Sequence, residues 1–418
     1  MKKLLFLLLS FSAFSQNDQI VRGPYLQSMT SESVLIQWRT ASPQSSQVTL
    51  VTKGEKKTRV IADTNRVIDH IVKVSGLMPT KSYTYSISPK HQGSFHTKPK
   101  AGDPNSVRVW ALGDFGYDTP NQKAVISAVK KYTEGKPIDA WIWLGDNAYN
   151  NGKEEEYQQH VFDVYQADFF PNLALYPSPG NHDYSGKHDP TTPPYFKIFS
   201  LPSEGQSGGV ASHSESYYSV DYGSLHLISL DTELRDAAGN QVMDGKGDQY
   251  DWLAKDLAAN RLPFTIVYFH KPPYSKGSHD SDVESDMKNM REKVNPLFEK
   301  FNVDVVVAGH SHVYERTMPL RGHFGVNDSF DAGKQVVATE KAPNQYVVGK
   351  KGQGVIYIVN GSGSKLGGRE PGYPLKSAVY TNTEIGGSMI FDVSKSMLDA
   401  KWLAADGVVR DQFAIEKQ

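Results

Sequence analysis

Short apolar runs that end in glycine and a polar residue recur along the last three quarters of the chain. Residues 107–112 and 139–144 are typical of buried strands, and residues 122–132 between them place apolar side chains on one helical face. Residues 265–270 and 303–308 predict further strands of the same kind. Because a β-α-β order implies a parallel sheet with helices on its face, we expect an α/β fold for this part.

Residues 20–100 predict a separate, all-β sandwich domain. The prediction rests on β-branched runs separated by Gly, Pro and Ser, namely residues 33–38, 47–52, 71–74 and 83–87. Trp38 is the expected core aromatic of this sandwich. A stretch rich in Pro, Gly and charge at residues 98–104 is expected to be a linker, so the second domain would span residues 104–418.

The N-terminus has the pattern of a secretory signal peptide over residues 1–15. Lys2 and Lys3 precede an apolar stretch at residues 4–9, and small residues follow at Ala13 and Ser15. We therefore expect cleavage after Ser15 and an exported protein, secreted or periplasmic. The alternative is an uncleaved N-terminal anchor. No later segment approaches 18 uninterrupted apolar residues, so stable membrane insertion is not expected.

The composition limits the chemistry, because none of the 418 residues is a cysteine. This excludes disulfides, thiolate nucleophiles and every Cys-based metal site, so a metal would need His, carboxylate, amide or phenol ligands. The 45 Lys and Arg nearly balance the 46 Asp and Glu, which leaves a formal net charge of −1. Such a balance argues against a nucleic-acid binder, which would need a basic excess. The oligomeric state stays open.

Five polar motifs follow the apolar strands of the second domain. They are Gly113-Asp-Phe-Gly116, Gly145-Asp-Asn-Ala-Tyr149, Gly180-Asn-His182, Val267-Tyr-Phe-His270 and Gly309-His-Ser-His312. Ligands of open α/β sheets bind at the carboxyl ends of strands, where the loops converge, so we expect the motifs to meet at one edge. The glycines before Asp114, Asp146, Asn181 and His310 are expected to allow the sharp turns that aim those side chains inward.

The donor groups of these motifs suit two metal ions better than one. They comprise two carboxylates, one amide oxygen, one phenol and three imidazoles, which is too many for a single tetrahedral ion. One carboxylate can bridge a pair of ions. Two ions about 3.5–4 Å apart clamp a phosphoryl group for in-line displacement, so the pattern indicates phosphoester hydrolysis.

The order of the five motifs resembles that of the purple acid phosphatases, within the calcineurin-like metallophosphoesterases. The resemblance also covers residues 217–231, residues 249–253 and the segment Arg22-Gly-Pro-Tyr-Leu-Gln27. It implies a fibronectin-III-like β-sandwich followed by a four-layer α/β/β/α metallophosphoesterase domain. It also implies an acid phosphatase that hydrolyses small phosphate monoesters by attack of a metal-bound hydroxide.

The resemblance implies two ligand sets that share Asp146 as a bridge. The first set is Asp114, Tyr149 and His312, and the second is Asn181, His270 and His310. A phenolate ligand favours a hard trivalent ion, so Fe(III) is expected in the first site. The second ion would be divalent Zn, Fe or Mn, and the sequence does not rank the three.

Two histidines outside the ligand sets are expected to be catalytic. His182 follows Asn181, and His279 lies nine residues after His270, where family members carry a substrate-facing histidine. Metal-free imidazoles can give the leaving alkoxide a proton or a hydrogen bond. The eight other histidines match no ligand motif, and surface or structural roles are expected for them.

Two alternative functions are open at this point. The same fold could carry a phosphodiesterase, a nucleotidase or a phytase, because residues 185–215 and 271–286 contain no readable specificity pattern. The other alternative is an extracellular binding protein with a catalytically dead phosphatase fold. The complete ligand set argues against this, because a pseudoenzyme is expected to lose ligands.

Overall fold

The computed structural model describes residues 19–185, 193–235, 243, 245–348 and 354–417. The predicted signal peptide at residues 1–15 lies outside these residues. No helix within the described ranges is long and apolar enough to cross a membrane.

The described residues form twenty strands, which fall into two sheets. In chain order they are β1 (Ile20–Gln27), β2 (Ser33–Thr52), β3 (Thr58–Ser75), β4 (Ser82–Ser88), β5 (His91–His96), β6 (Val107–Leu112), β7 (Ala140–Leu144), β8 (Ala174–Ser178), β9 (Tyr218–Tyr222), β10 (Leu225–Ser229), β11 (Phe264–Phe269), β12 (Val305–Ala308), β13 (Tyr314–Thr317), β14 (Glu340–Ala342), β15 (Gln345–Val347), β16 (Ile356–Asn360), β17 (Ala378–Asn382), β18 (Gly387–Val393), β19 (Met397–Ala404) and β20 (Val409–Glu416).

The helices are short apart from two. In chain order they are α1 (Pro120–Tyr132), α2 (Glu154–Tyr157), α3 (Asp163–Tyr165), α4 (Tyr195–Ile198), α5 (Asp248–Ala259), α6 (Ser285–Asn289), α7 (Asn295–Lys300) and α8 (Ala332–Gln335). A π-helical turn at Gln158–Phe162 joins α2 to α3, and another at Met290–Val294 joins α6 to α7. Asn327–Ser329 forms a single 3₁₀ turn.

The C-terminal part of the chain contributes to two sheets that pack face to face with helices outside them. The first sheet has the order β14-β15-β20-β19-β18-β6-β7-β8 and then continues into β1-β2-β4-β5, with β3 beside β2. The second has the order β17-β13-β16-β12-β11-β10-β9. One buried cluster contains side chains of both sheets, such as Ile142 and Ile266. Helix α1 covers the first sheet, and α5 and α7 pack on the second, so the expected α/β/β/α layering is confirmed.

The N-terminal region is rich in β-structure, as expected, and Trp38 is buried in its core with its ring stacked on His70. The two runs expected at residues 33–38 and 47–52 are one bent strand, β2, which pairs with β1, β3 and β4. Strand β1 also pairs in parallel with β8 at Leu26 and Ala174, so the first sheet runs through both regions.

The pair Asn295-Pro296 is typical of a helix N-cap followed by a first-turn proline, but Asn295 is not the N-cap of the helix that carries Leu297. The helix begins earlier, at Ser285, and passes through the π-helical turn before Asn295. A proline lacks the backbone N–H and clashes with the carbonyl four residues before it. A wider turn accommodates the ring within a continuous helix, which explains why Pro296 does not mark its start.

Candidate metal centre

The five motifs meet where the carboxyl ends of both sheets come together. Asp114 follows β6, Asp146 follows β7 and Asn181 follows β8 in the first sheet, while His270 and His310 follow β11 and β12 in the second. In parallel sheets the strand ends splay at this edge and their loops converge. The convergence expected from the sequence is therefore present in the structure.

The first group of donors surrounds the Tyr149 hydroxyl, which is buried. It lies 2.9 Å from Asp114 Oδ1, 3.0 Å from Asp146 Oδ2 and 3.2 Å from His312 Nε2. His312 Nε2 lies 3.5 Å from Asp114 Oδ1. The four side chains thus bring a phenol, two carboxylates and an imidazole to one point, as the sequence-based ligand set requires.

The second group of donors surrounds His270 Nε2. This nitrogen lies 3.2 Å from Asp146 Oδ2, 3.1 Å from Asn181 Oδ1 and 3.2 Å from His310 Nδ1. Asp146 Oδ2 contacts both groups, so Asp146 occupies the bridging position. The arrangement brings together all seven residues of the two ligand sets.

The chemistry of this second group fits a cation. His270 Nδ1 lies 2.9 Å from the carbonyl oxygen of Leu144, so Nδ1 carries a proton, and with a metal ion bound the ring would present a lone pair at Nε2. That lone pair faces the carboxylate oxygen of Asp146 and the amide oxygen of Asn181, which are also acceptors. Acceptors that converge without a donor between them are stabilised by a metal ion, and His, carboxylate and amide are suitable ligands.

The backbone at three ligands is left-handed, with φ of +56° at Asp114, +50° at Asp146 and +69° at His310. This conformation is uncommon for residues other than glycine and is concentrated at functional sites. Of the four glycines expected to make the turns, only Gly145 has a positive φ. Gly309 gives clearance instead, because a Cβ there would lie 2.4 Å from Asp114 Oδ2.

The electrostatics of the cluster favour positive charge. Burial would raise the pKa of Asp146, but the His270 imidazole beside it holds that pKa below its usual range. Burial would conversely lower the pKa of His270, but Asp146 raises it to about 10, so without a metal ion the ring keeps a second proton that a bound cation would displace. Burial lowers the pKa of His310 to about 3, which keeps its ring neutral and able to bind a metal.

His182 lies at the open side of the centre and is half-exposed. Its Nε2 is 3.8 Å from Asp146 Oδ2, and its backbone N–H donates to Asp146 Oδ1 at 2.8 Å. Its Nδ1 lies 2.6 Å from the carbonyl oxygen of Asn150, so this nitrogen carries the proton. The Nε2 atom is therefore directed away from that bond and is available to a substrate.

His279 also reaches the centre, although it comes from a separate loop. Its ring stacks on the ring of His310 with centroids 3.8 Å apart. Its Nδ1 lies 2.6 Å from Glu284 Oε1, and the other oxygen of Glu284 lies 3.2 Å from His310 Nε2. Sequence reasoning missed Glu284, because it belongs to none of the five motifs and no spacing links it to either histidine.

Tyr149 is held from one side by an aromatic stack. The Tyr117 ring lies 3.8 Å from the Tyr149 ring at an interplanar angle of 15°, and Lys365 Nζ lies 3.5 Å from the centre of the Tyr117 ring. Burial raises the pKa of Tyr117 to about 12, with help from the nearby Asp146. The stack restricts the orientation of the phenol that faces the first donor group.

The centre opens into a cleft of about 500 Å³, and Glu284 and His310, which contact His279, are part of its lining. His182 and Asn181 form part of this lining, together with Lys271 and Arg235. The ammonium of Lys271 lies 2.7 Å from Asp286 Oδ2 and 3.0 Å from Glu233 Oε2. The cleft wall therefore combines cations with carboxylates and has the size of a small-molecule site.

Residues 107–314 match the family model described as calcineurin-like phosphoesterase. This range contains all five motifs and the seven donor residues described above. The likeness therefore covers the candidate centre itself and the strands that carry it.

Relatives and a solved structure extend the likeness beyond this range. Acid phosphatase type 7 of Danio rerio is 27% identical over 313 residues, which is 68% of this chain and 64% of the relative. Probable inactive purple acid phosphatase 27 of Arabidopsis thaliana is 25% identical over 84% of this chain and 58% of the relative. The chain thus spans less than two thirds of these relatives.

The structure of purple acid phosphatase PPD1 from yellow lupin seeds is similar with a TM-score of 0.73 and 20% identity. The similarity covers 94% of this chain and 74% of that protein. This likeness shows a shared fold that includes the N-terminal β region and the two packed sheets that follow it.

Proposed function

We propose that this chain, a member of the calcineurin-like phosphoesterase family, is a binuclear-metal acid phosphatase that hydrolyses small phosphate monoesters. The observation that carries the proposal is the meeting of seven donor residues from five separate strand ends, with Asp146 between the two groups. Such a donor set is costly to bury unless a cation neutralises its carboxylates, which favours a metal site.

The two donor groups would hold different ions. Asp114, Tyr149 and His312 would hold Fe(III), because a phenolate is a hard ligand, and Asn181, His270 and His310 would hold Zn, Fe or Mn in the divalent state. Asp146 would bridge the pair. Bound there, the two cations would lower the pKa of a water molecule and neutralise charge on the phosphate.

The chain supplies proton transfer and orientation through His182 and His279. His182 keeps its Nδ1 proton on the Asn150 carbonyl, so Nε2 is the atom that exchanges a proton with the leaving-group oxygen. Glu284 holds His279 Nδ1 at 2.6 Å, so the other nitrogen of His279 is the one that would interact with a substrate. Two oriented imidazoles beside the donor groups can bind phosphate oxygens and protonate an alkoxide.

The first alternative keeps the centre and changes the substrate to a phosphodiester, a nucleotide or phytate. Purified, metal-loaded protein should hydrolyse p-nitrophenyl phosphate faster than its bis ester across pH 4–8. The reverse preference would favour the phosphodiesterase. Hydrolysis of nucleotides or phytate well above the aryl ester in the same panel would favour those substrates.

The second alternative is a catalytically dead binding protein, and one relative does carry the word inactive in its name. The complete donor set and both candidate histidines favour activity in this chain. Metal analysis should find two ions per chain after loading. Two bound ions without turnover of any ester would support the dead protein.

We further propose that the chain is exported after cleavage of residues 1–15 and that residues 104–418 form the catalytic domain. Lys2 and the apolar stretch after it support the export, and the even charge balance supports a small substrate over a nucleic acid. Mass spectrometry of the protein in the host's extracytoplasmic fraction should give Gln16 as the first residue. An N-terminal Met1 there would contradict cleavage.

A further inference from the structure

Glu315 is a buried carboxylate beneath the loop that carries His279. It lies on β13, and only 1% of its surface is exposed. One oxygen accepts the Ser275 hydroxyl at 2.5 Å, and the other accepts the backbone N–H of Lys276 at 3.2 Å. Glu315 thus accepts two hydrogen bonds at the start of the loop, and within the described residues neither of them comes from the seven donor residues.

Ser275, at the start of this loop, is hydrogen-bonded to Ser281 at its end. Its carbonyl accepts the N–H of Ser281 at 3.1 Å, and its own N–H donates to the Ser281 hydroxyl at 3.1 Å. Its hydroxyl oxygen also accepts the N–H of Gly277 at 3.1 Å. Because that hydroxyl gives its proton to Glu315, the carboxylate fixes the geometry of the whole turn at residues 275–281.

The tip of the loop touches the metal centre. Ser278 Oγ accepts the backbone N–H of His312 at 2.9 Å, and the His279 ring stacks on His310. A Cβ at Gly277 would lie 2.4 Å from the Val313 side chain, so the loop rests directly on the segment that follows His312. A small movement at the loop base would therefore displace His279 relative to the cleft.

We propose that Glu315 is a positioning residue that holds the loop of residues 275–281 so that His279 faces the substrate. The inference rests on the proposed function and assigns Glu315 no contact with the substrate. A carboxylate is needed because both groups that face it are donors. A glutamine at this position would direct its NH₂ group at one of them, so either the Ser275 hydroxyl must rotate away or the Lys276 N–H loses its acceptor.

A double-mutant cycle between Glu315→Gln and His279→Ala tests this proposal. In the otherwise native chain, Glu315→Gln should lower kcat/KM for p-nitrophenyl phosphate about 10-fold, since small misplacement of a catalytic group has effects of this order. In the His279→Ala background, the same change should lower it less than about 2-fold, because the two residues act as one unit. Metal content should stay at two ions per chain in all variants.

Glu299→Gln is the matched control, because Glu299 is also buried and accepts a backbone N–H at 2.8 Å, but from Gly322 and not from residues 275–281. It should leave kcat/KM unchanged. If Glu315→Gln does not fold, Ser275→Ala replaces it in the same cycle with the same expected pattern. Equal losses of kcat/KM in the native and His279→Ala backgrounds, or loss of metal, would overturn this inference but not the proposed function. No turnover by the metal-loaded native chain would instead overturn the proposed function.

Discussion

The Nδ1 atom of His270 lies 2.9 Å from the carbonyl oxygen of Leu144, so a strand end of the first sheet orients a ligand of the second. Such a bond fixes the tautomer and the ring orientation of a metal-binding histidine. It also explains why the two donor groups depend on the packing of both sheets and cannot be assembled from either sheet alone.

Removing the His270 imidazole should abolish metal binding at the second site and leave the first site able to bind its ion. We expect His270→Ala to bind one metal ion per chain instead of two, and to lose at least about 100-fold in kcat/KM, since even outer partners of metal ligands contribute 10- to 100-fold. Metal analysis and ester hydrolysis measure the two effects. His213→Ala is the control, because the His213 side chain is exposed and pairs with Glu204 at the surface. Two retained ions in His270→Ala would contradict the assignment of this ligand.

Tyr149 gives a spectroscopic prediction. If it binds Fe(III) as a phenolate, the native protein should have a broad visible absorption band from tyrosinate-to-iron charge transfer, and Tyr149→Phe should abolish it. Tyr117→Phe keeps the ring that stacks on Tyr149 and should keep the band. A colourless native protein that contains only zinc would contradict the Fe(III) assignment.

The sequence predicts the location of the site well because each motif follows an apolar strand. Parallel strands of one sheet deliver their carboxyl ends to one edge, so the meeting of Asp114 with Asp146, which follow β6 and β7, is predicted by the pattern alone. The Tyr149 hydroxyl indeed lies 2.9 Å from the first carboxylate and 3.0 Å from the second. What the pattern could not provide is the partner of each ligand across the two sheets, such as Leu144 for His270.

Features that depend on loop packing escaped prediction for a physical reason. Glu284 reaches His279 and His310 only through the path of the chain after β11, which no periodicity describes. The left-handed backbone at Asp114 is likewise set by tertiary contacts, whereas the sequence placed the turn on the preceding glycine. Pro296 is a third example. A proline normally marks the start of a helix, but the π-helical turn at Met290–Val294 allows this helix to continue through it.

The N-terminal region should unfold together with the catalytic part. Strand β1 is paired with β8, and Tyr25 is buried with its hydroxyl donating to the Ile198 carbonyl at 2.7 Å. We expect one calorimetric transition, and Tyr25→Ala should lower the free energy of unfolding by about 3–5 kcal/mol, as for other large aromatic truncations. Met78→Ala, at a half-exposed position, should change it by less than about 0.5 kcal/mol. Two separate transitions would show that the regions fold independently.

A buried ion cluster on the second sheet gives the last prediction, on pH. His226 lies between two carboxylates, with Nδ1 2.7 Å from Asp221 Oδ1 and Nε2 2.9 Å from Asp256 Oδ2. Burial would lower the pKa of His226, but hydrogen bonds to both carboxylates raise it to about 9. A pKa raised by folding stabilises the protein fully below the unfolded value of about 6.5, and the contribution is lost as the pH rises through about 9.

His226→Gln should therefore destabilise the protein more at pH 6 than at pH 10, by about 3 kcal/mol, which is the free energy that corresponds to this shift. Denaturant unfolding of both chains at the two pH values measures the difference. Lys98 acts in the opposite direction, because burial lowers its pKa to about 7, and it shares Asp221 with His226, so repeating the comparison in a Lys98→Met background removes its contribution. An equal destabilisation at pH 6 and pH 10 would show that His226 carries no charge in the folded protein.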